Sequence, residues 1–115
     1  MLNKTVIFLS IIIFSPFAFS GNGSGKVQIE HVYPPAKLFF YTTIHENPPA
    51  CNSYSQASNG SKRWVIDLST DLGKQQYSLL LAAQMANKDI KVSGLGTCNI
   101  HNNSEDIHWV GFKID

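Results

Sequence analysis

Residues 69–100 constrain the fold of this chain more than any other segment, because they read as a capped helix followed by a strand. Ser69 or Thr70 can accept hydrogen bonds from the free N–H groups of a first helical turn. Apolar residues then recur at helical spacing and predict one buried face. That predicted face consists of Leu72, Leu79, Leu80, Ala83, Met85 and Ala86. Asn87 can adopt the left-handed conformation that ends a helix, and residues 90–95 then form a strand.

Four other stretches have the apolar, aromatic and β-branched composition of strands. They cover residues 27–32, 38–44, 62–68 and 107–114. Residues 21–25, GNGSG, are predicted to form a flexible lead-in, and Gly94 and Gly96 indicate a bulge or a close backbone approach in the fourth strand. The predicted order of three strands, one helix and two strands matches a mainly β, five-stranded OB barrel, which leaves few free sheet edges. An open α+β sandwich with one covering helix is the alternative.

The N-terminus has the pattern of a secretory signal peptide. Lys4 precedes an apolar core at residues 6–14, and residues 18–20 form a small-x-small cleavage signal. We therefore expect residues 1–20 to be removed by cleavage near Ser20 and Gly21. An uncleaved membrane anchor is the alternative, but the apolar core is short for a bilayer span of about 20 residues.

The predicted mature chain spans residues 21–115 and is a single domain of about 95 residues in a secreted or periplasmic protein. The full sequence holds nine Lys and Arg and eight Asp and Glu. Loss of Lys4 leaves equal numbers of basic and acidic side chains. This balance argues against nucleic acid as a partner and against binding to an anionic membrane, and we expect no membrane insertion.

The chain has two cysteines, Cys51 and Cys98. Small exported domains commonly gain a covalent cross-link because their cores are thin, so we predict a disulfide between the two. Free thiols and a metal site are the alternatives, although two cysteines without CxxC spacing make a poor zinc site. We expect no cofactor and no bound metal.

The sequence carries no recognised catalytic signature, so we expect that the protein is not an enzyme. Its histidines are His31, His45, His101 and His108, and no serine lies in a G-x-S-x-G elbow. The run 101–108, HNNSEDIH, contains metal-ligand residue types without an established spacing. We interpret it as a solvated polar turn that leads into the last strand, with a bound cation as the alternative.

One aromatic strand has a composition that suits sugars. Tyr41 is followed by Thr42 and Thr43, and Trp64 lies on the third predicted strand. The C–H face of a sugar stacks on an aromatic ring while its hydroxyl groups need hydrogen-bond partners. These four residues are candidate glycan-binding residues, and packing in the core is the competing interpretation.

The chain resembles the binding subunits of bacterial toxins built from one A and five B chains. The resemblance is carried by the signal peptide, by the strands around one helix and by residues 77–98, YSLLLAAQMANKDIKVSGLGTC. The similarity is to the subtilase-cytotoxin and pertussis-like B subunits. It implies an OB fold, a homo-pentameric ring and binding to host cell-surface glycans, often sialylated. The segment 24–27, Ser-Gly-Lys-Val, resembles the start of their first strand, where the serine contacts sugar, and this implies the same role for Ser24.

The chain departs from the family pattern at two points. Gly94 stands near the position of a tyrosine that helps to hold the sugar, and the family's disulfide lies within its early hairpin, unlike the predicted Cys51–Cys98 pair.

The implied function is a secreted glycan-binding subunit that delivers a catalytic toxin A subunit to host cells. In such a ring the polar face of the helix would line the pore, and this face comprises Lys74, Gln75, Gln84 and Lys88. Two alternatives remain. One is a stand-alone secreted or periplasmic OB-fold module that binds a ligand or protein without a toxin partner. The other is a small secreted enzyme or enzyme inhibitor.

Overall fold

The computed structural model describes residues 20–56 and 58–114, and in this part of the chain it contains five strands and one helix. The elements are β1 (Asn22–Tyr33), β2 (Lys37–Glu46), β3 (Trp64–Asp67), α1 (Asp71–Met85), β4 (Ile90–Gly94) and β5 (Glu105–Phe112). The prediction of a mainly β protein with one helix is confirmed. The predicted signal peptide falls almost wholly on residues 1–19, which lie outside the described residues.

The strands close on themselves in the order β1-β2-β3-β5-β4. The β3–β5 pair is parallel and the other pairs are antiparallel. The register shifts between Ser93 and Gly94 on β4, in agreement with the bulge or close approach predicted at Gly94, whereas Gly96 lies beyond the end of β4. The core inside the sheet is apolar and consists of Val27, Leu38, Phe40, Trp64, Ile66, Leu80, Ala83, Ile90, Val92 and Ile107.

The prediction of a flexible lead-in at residues 21–25 is wrong. Asn22–Gly25 pairs with β4 on one side, and β1 pairs with β2 on the other. This pairing requires glycine at position 23, because a Cβ there would lie 2.8 Å from the Thr42 hydroxyl and from the Trp64 ring. A glycine-rich segment can therefore form a strand where backbones must approach closely.

Both ends of α1 are capped as the sequence predicts. The Thr70 hydroxyl accepts from the Gly73 backbone N–H at 2.9 Å. At the other end Asn87 is left-handed, with φ of 54°. The Asn87 N–H donates to the Gln84 carbonyl and the Lys88 N–H donates to the Ala83 carbonyl, at 3.3 and 2.9 Å. This pair of bonds is the Schellman motif.

The predicted buried face of α1 is only partly correct. Its buried residues are Gly73, Gln76, Leu80 and Ala83. Leu72, Met85 and Ala86, which the spacing assigned to the core, are exposed. Tertiary packing sets this rotation, because Gly73 lies so close to the Asp67 carbonyl that a Cβ would collide with it.

The predicted disulfide is confirmed. Cys51 and Cys98 are bonded, with their Cα atoms 6.1 Å apart, and the bond joins the long β2–β3 loop to the segment between β4 and β5. A disulfide indicates a non-cytosolic environment. Among the residues that the structure describes, no helix is long and apolar enough to cross a membrane.

Candidate functional site

An open pocket of about 300 Å³ lies on the outer surface where β1, β4 and β5 are adjacent. We call it the Trp109 pocket, and its lining comprises Asn22, Gly23, Ser24, Glu46, Lys91, Val92 and Trp109. It combines one large aromatic ring with hydroxyl, amide, carboxylate and ammonium groups.

Sheet register brings these side chains together. Asn22 pairs with Ser93 and Ser24 pairs with Lys91 across the β1–β4 ladder, and Ser93 in turn pairs with Trp109 on β5. The Trp109 side chain stays 48% exposed. An indole is a large apolar surface that normally leaves water, so a half-exposed tryptophan beside polar groups provides a stacking surface for a ligand.

The structure separates the five predicted glycan-binding residues. Ser24 lines the Trp109 pocket. Thr43 is exposed outside it, and its hydroxyl accepts from the Lys26 N–H at 2.9 Å. Tyr41, Thr42 and Trp64 are only 4%, 1% and 0% exposed, so they do not present a surface to a ligand.

Trp64 and Thr42 instead hold the interior of the barrel together. The Trp64 indole N–H donates to the Thr42 hydroxyl at 3.0 Å, and that hydroxyl donates to the Ile44 carbonyl at 2.7 Å. Trp64 and Thr42 are therefore packed in the core, which was the competing interpretation to glycan binding. Burial, followed by a hydrogen bond to Glu30, raises the pKa of Tyr41 well above its usual range.

A polar cluster, which we call the Glu105 cluster, is buried beside Trp64. It consists of Gly21, His45, Gly96 and Glu105, and the side chains of His45 and Glu105 are both 0% exposed. His45 Nε2 lies 2.7 Å from Glu105 Oε1, and His45 Nδ1 lies 3.0 Å from the Lys62 carbonyl. Since a carbonyl only accepts, Nδ1 carries a hydrogen, and one further proton joins Nε2 to Oε1.

The other Glu105 oxygen accepts two backbone N–H groups. Gly21 N donates to Oε2 at 2.8 Å and Gly96 N donates to it at 3.1 Å. Gly94 leaves room for this carboxylate, because a Cβ at position 94 would collide with Oε2. Packing therefore requires a glycine at position 94.

The expectation that residues 101–108 form a solvated polar turn is wrong for three of its polar residues. Ser104, Glu105 and Asp106 are buried. Asp106 anchors the preceding loop, since its carboxylate accepts from the Thr97 hydroxyl at 2.6 Å and from two backbone N–H groups, those of Asn99 and Ile100, at 2.8 and 3.0 Å. Buried carboxylates require such partners, and sequence spacing does not reveal partners on distant segments.

A second cavity, of about 230 Å³, is lined by His31, Tyr33, Phe39, Arg63 and His101. The Arg63 guanidinium lies between two rings, with its carbon 3.9 Å from the centroid of Phe39 and 3.8 Å from that of Tyr54. It also donates to three polar side chains, Ser104, Glu30 and Asn103. Because each of its three nitrogens donates a hydrogen bond and two aromatic rings pack against it, Arg63 braces the fold.

Within residues 20–56 and 58–114, no three His, Cys, Asp or Glu side chains are grouped so that they could hold a metal ion. Comparisons with protein-family models, with curated proteins and with solved structures found no match for the chain. Sequence reasoning did not single out Trp109, which lines this candidate pocket. The only signal was its place among many aromatic residues, and alternation along β5 does not distinguish a ligand-facing ring from a packed one.

Proposed function

We propose that this chain is a secreted carbohydrate-binding module, that its chemistry is binding rather than catalysis, and that the Trp109 pocket is its site. The observation that carries the proposal is the half-exposed Trp109 ring beside the Ser24 hydroxyl. The indole face would stack on the C–H face of a sugar ring. Ser24, Asn22 and Glu46 would hydrogen-bond to its hydroxyl groups.

The OB fold is part of this proposal. The strand order β1-β2-β3-β5-β4 and the position of α1 between β3 and β4 support it. OB barrels are five-stranded and include modules that bind oligosaccharides. The disulfide supports export, because such bonds persist in oxidising compartments.

An acidic sugar is the preferred ligand class. The Lys91 ammonium lines the pocket and would pair with the carboxylate of a sialylated glycan. Glu46 lines it too and would accept from sugar hydroxyls. A variant that removes only the positive charge, Lys91→Gln, therefore separates acidic-sugar binding from neutral-sugar binding.

The toxin-like assembly is the finer part of the proposal. Five copies would present five weak sites to one cell surface, and linking the binding events would raise the avidity. Lys74, Gln75 and Gln84 of α1, and Lys88 just beyond its end, are exposed, as a pore lining for a toxin A subunit requires. A stand-alone module without a toxin partner is the alternative, and the mass of the purified protein in solution distinguishes a pentamer from a monomer.

The test is a glycan-array screen of the mature protein, followed by titration of the sugars it retains. Trp109→Ala and Ser24→Ala should each weaken sugar binding. The loss for Trp109→Ala should be about 1–3 kcal/mol, the value found when an aromatic side chain that stacks on a nucleic-acid base is replaced by alanine. Phe112→Ala is the matched control, because Phe112 lies on the same strand, is 45% exposed and does not line the pocket.

A protein that retains no sugar on the array would count against carbohydrate as the ligand. If both Trp109→Ala and Phe112→Ala bind the sugar as tightly as the wild type, the binding site does not lie in the Trp109 pocket.

A further inference from the structure

We propose that removal of the leader after Ser20 creates a new α-amino group at Gly21 that pairs, as an ammonium ion, with the buried Glu105 carboxylate. Processing during export would then complete the Glu105 cluster and fasten the first strand of the barrel. The inference goes beyond carbohydrate binding and does not depend on it.

The position of the Gly21 nitrogen carries this inference. That nitrogen donates to Glu105 Oε2 at 2.8 Å, from a residue that is itself buried. The preceding residue, Ser20, is exposed. The predicted cleavage therefore falls at the boundary where the chain passes from solvent into the barrel.

The surroundings fit an unsubstituted N-terminal glycine. A Cβ at Gly21 would collide with Glu105 Oε1 and approach His45 Nε2, so only glycine fits against the carboxylate. The Gly21 carbonyl accepts from the Gly94 N–H at 2.8 Å, which fixes the residue from its other side. Its nitrogen is therefore held facing Glu105 by the backbone.

The chemistry of the cleavage changes the charge at this nitrogen. A leader peptidase adds one water across the Ser20–Gly21 peptide bond. The new carboxylate leaves with Ser20, and the released Gly21 amine takes up a proton at neutral pH because its ordinary pKa is about 7.7–8.0. A neutral amide donor thus becomes an ammonium donor beside a fully buried acid.

An ammonium at Gly21 places a positive charge beside Oε2, the Glu105 oxygen that His45 does not contact. Hydrogen bonds between charged partners are roughly twice as strong as neutral ones. The exposed position of Ser20 leaves the new amine a path to water for its remaining N–H bonds. Cleavage therefore strengthens the contact between Gly21 and Glu105, to which the uncut chain contributes only a neutral amide N–H.

The contact also fixes the start of β1. Asn22 and Ser24 lie one and three residues after Gly21, and both line the Trp109 pocket. A firmly held Gly21 therefore limits the motion of two pocket residues. Stability and amine reactivity, rather than ligand binding, are the measurements that test the contact, so its failure is separable from failure of the proposed function.

The experiment compares two chains with defined N-termini, released from a removable fusion partner. One begins at Gly21 and the other begins at Ser20, and each is made with Glu105 and with Glu105→Gln. We expect the folding equilibrium constant of the Gly21 chain to exceed that of the Ser20 chain about tenfold, which corresponds to about 1.4 kcal/mol. In the Glu105→Gln pair the difference should fall below about twofold, because the neutral amide cannot form an ion pair.

Two further measurements keep the proposal testable where Glu105→Gln does not fold. Mass spectrometry of the chain exported from a bacterial host should find Gly21 as the first residue. Acetic anhydride should modify the Gly21 amine of the folded chain at least about tenfold more slowly than the Ser20 amine of the longer chain, if the ion pair protects it by a similar free energy.

A mature terminus at another residue, equal stabilities of the two chains, or equal reactivities of the two amines would each overturn the proposal.

Discussion

The imidazole ring of His45 lies flat against the indole ring of Trp64, with their centroids 3.7 Å apart and an interplanar angle of 7°. The Nε2 atom of the same imidazole lies 2.7 Å from Glu105 Oε1. Through this one side chain, β2 connects the aromatic core on β3 to the buried acid at the start of β5. The barrel closes around a stacked pair and a buried hydrogen bond that share His45.

Removing the His45 side chain should destabilise the fold strongly. His45→Ala deletes the stacking surface of Trp64 and the side-chain partner of a carboxylate that is 0% exposed. Breaking a buried pair on one side costs about 3–5 kcal/mol. Urea unfolding should show a loss of about this size, whereas His108→Ala, at an exposed position on β5, should change stability by less than about 0.5 kcal/mol. Equal effects of the two substitutions would contradict the buried pair.

The Thr42 hydroxyl should matter for stability and not for sugar binding. Thr42→Val keeps the shape of the side chain but leaves the Trp64 indole N–H without its acceptor. An unpaired buried donor costs about 1–3 kcal/mol. Thr43→Val, at the neighbouring exposed position, is the matched control and should cost less, because water can replace its contact with the Lys26 N–H. A Thr42→Val protein as stable as the wild type would mean that the indole N–H finds another partner.

Reduction of the disulfide should lower the melting temperature. Cys51 and Cys98 are 47 residues apart in sequence. Closing a loop of that length stabilises a fold by about 4 kcal/mol in the chain-entropy model. Thermal unfolding with and without a reductant measures the effect. A Cys51→Ser, Cys98→Ser double variant should melt at the temperature of the chemically reduced wild type, whether or not the reductant is present. Unchanged melting of the wild type on reduction would show that the cross-link does not stabilise the fold.

His101 should make the fold less stable in mild acid. Burial, and then the positive charges of Lys37 and Arg63, lower the pKa of His101 below its usual value. The unfolded chain therefore binds a proton at about pH 6.5 that the folded chain does not, and the stability present above that pH declines as the pH falls through it. His101→Gln retains an acceptor for Lys37 but does not titrate.

The free energy of unfolding, measured at pH 7 and at pH 5, should therefore fall less for His101→Gln than for the wild type. The same decline in both proteins would contradict the contribution of His101.

The sequence by itself determined the local elements of this protein, because their causes lie within a few residues. Thr70 caps the helix and Asn87 ends it through contacts to neighbouring backbone groups. The β4 bulge at its glycine follows in the same way. Strand composition predicted the five strands and the helix between the third and fourth. The cysteine pair was predictable because the chain holds only two cysteines.

Only the tertiary structure decided which of these residues face one another. The segment after Ser20 became a strand because β2 and β4 offered it backbone partners, and its glycines let Trp64 approach. Glu105 became buried because Gly94 left room for it and His45 paired with it, and Trp109 stayed at the surface beside Ser24. Burial depends on the surface that covers a residue, and that surface comes from segments far away in the sequence. The spacing of residues along one strand therefore carries no record of it.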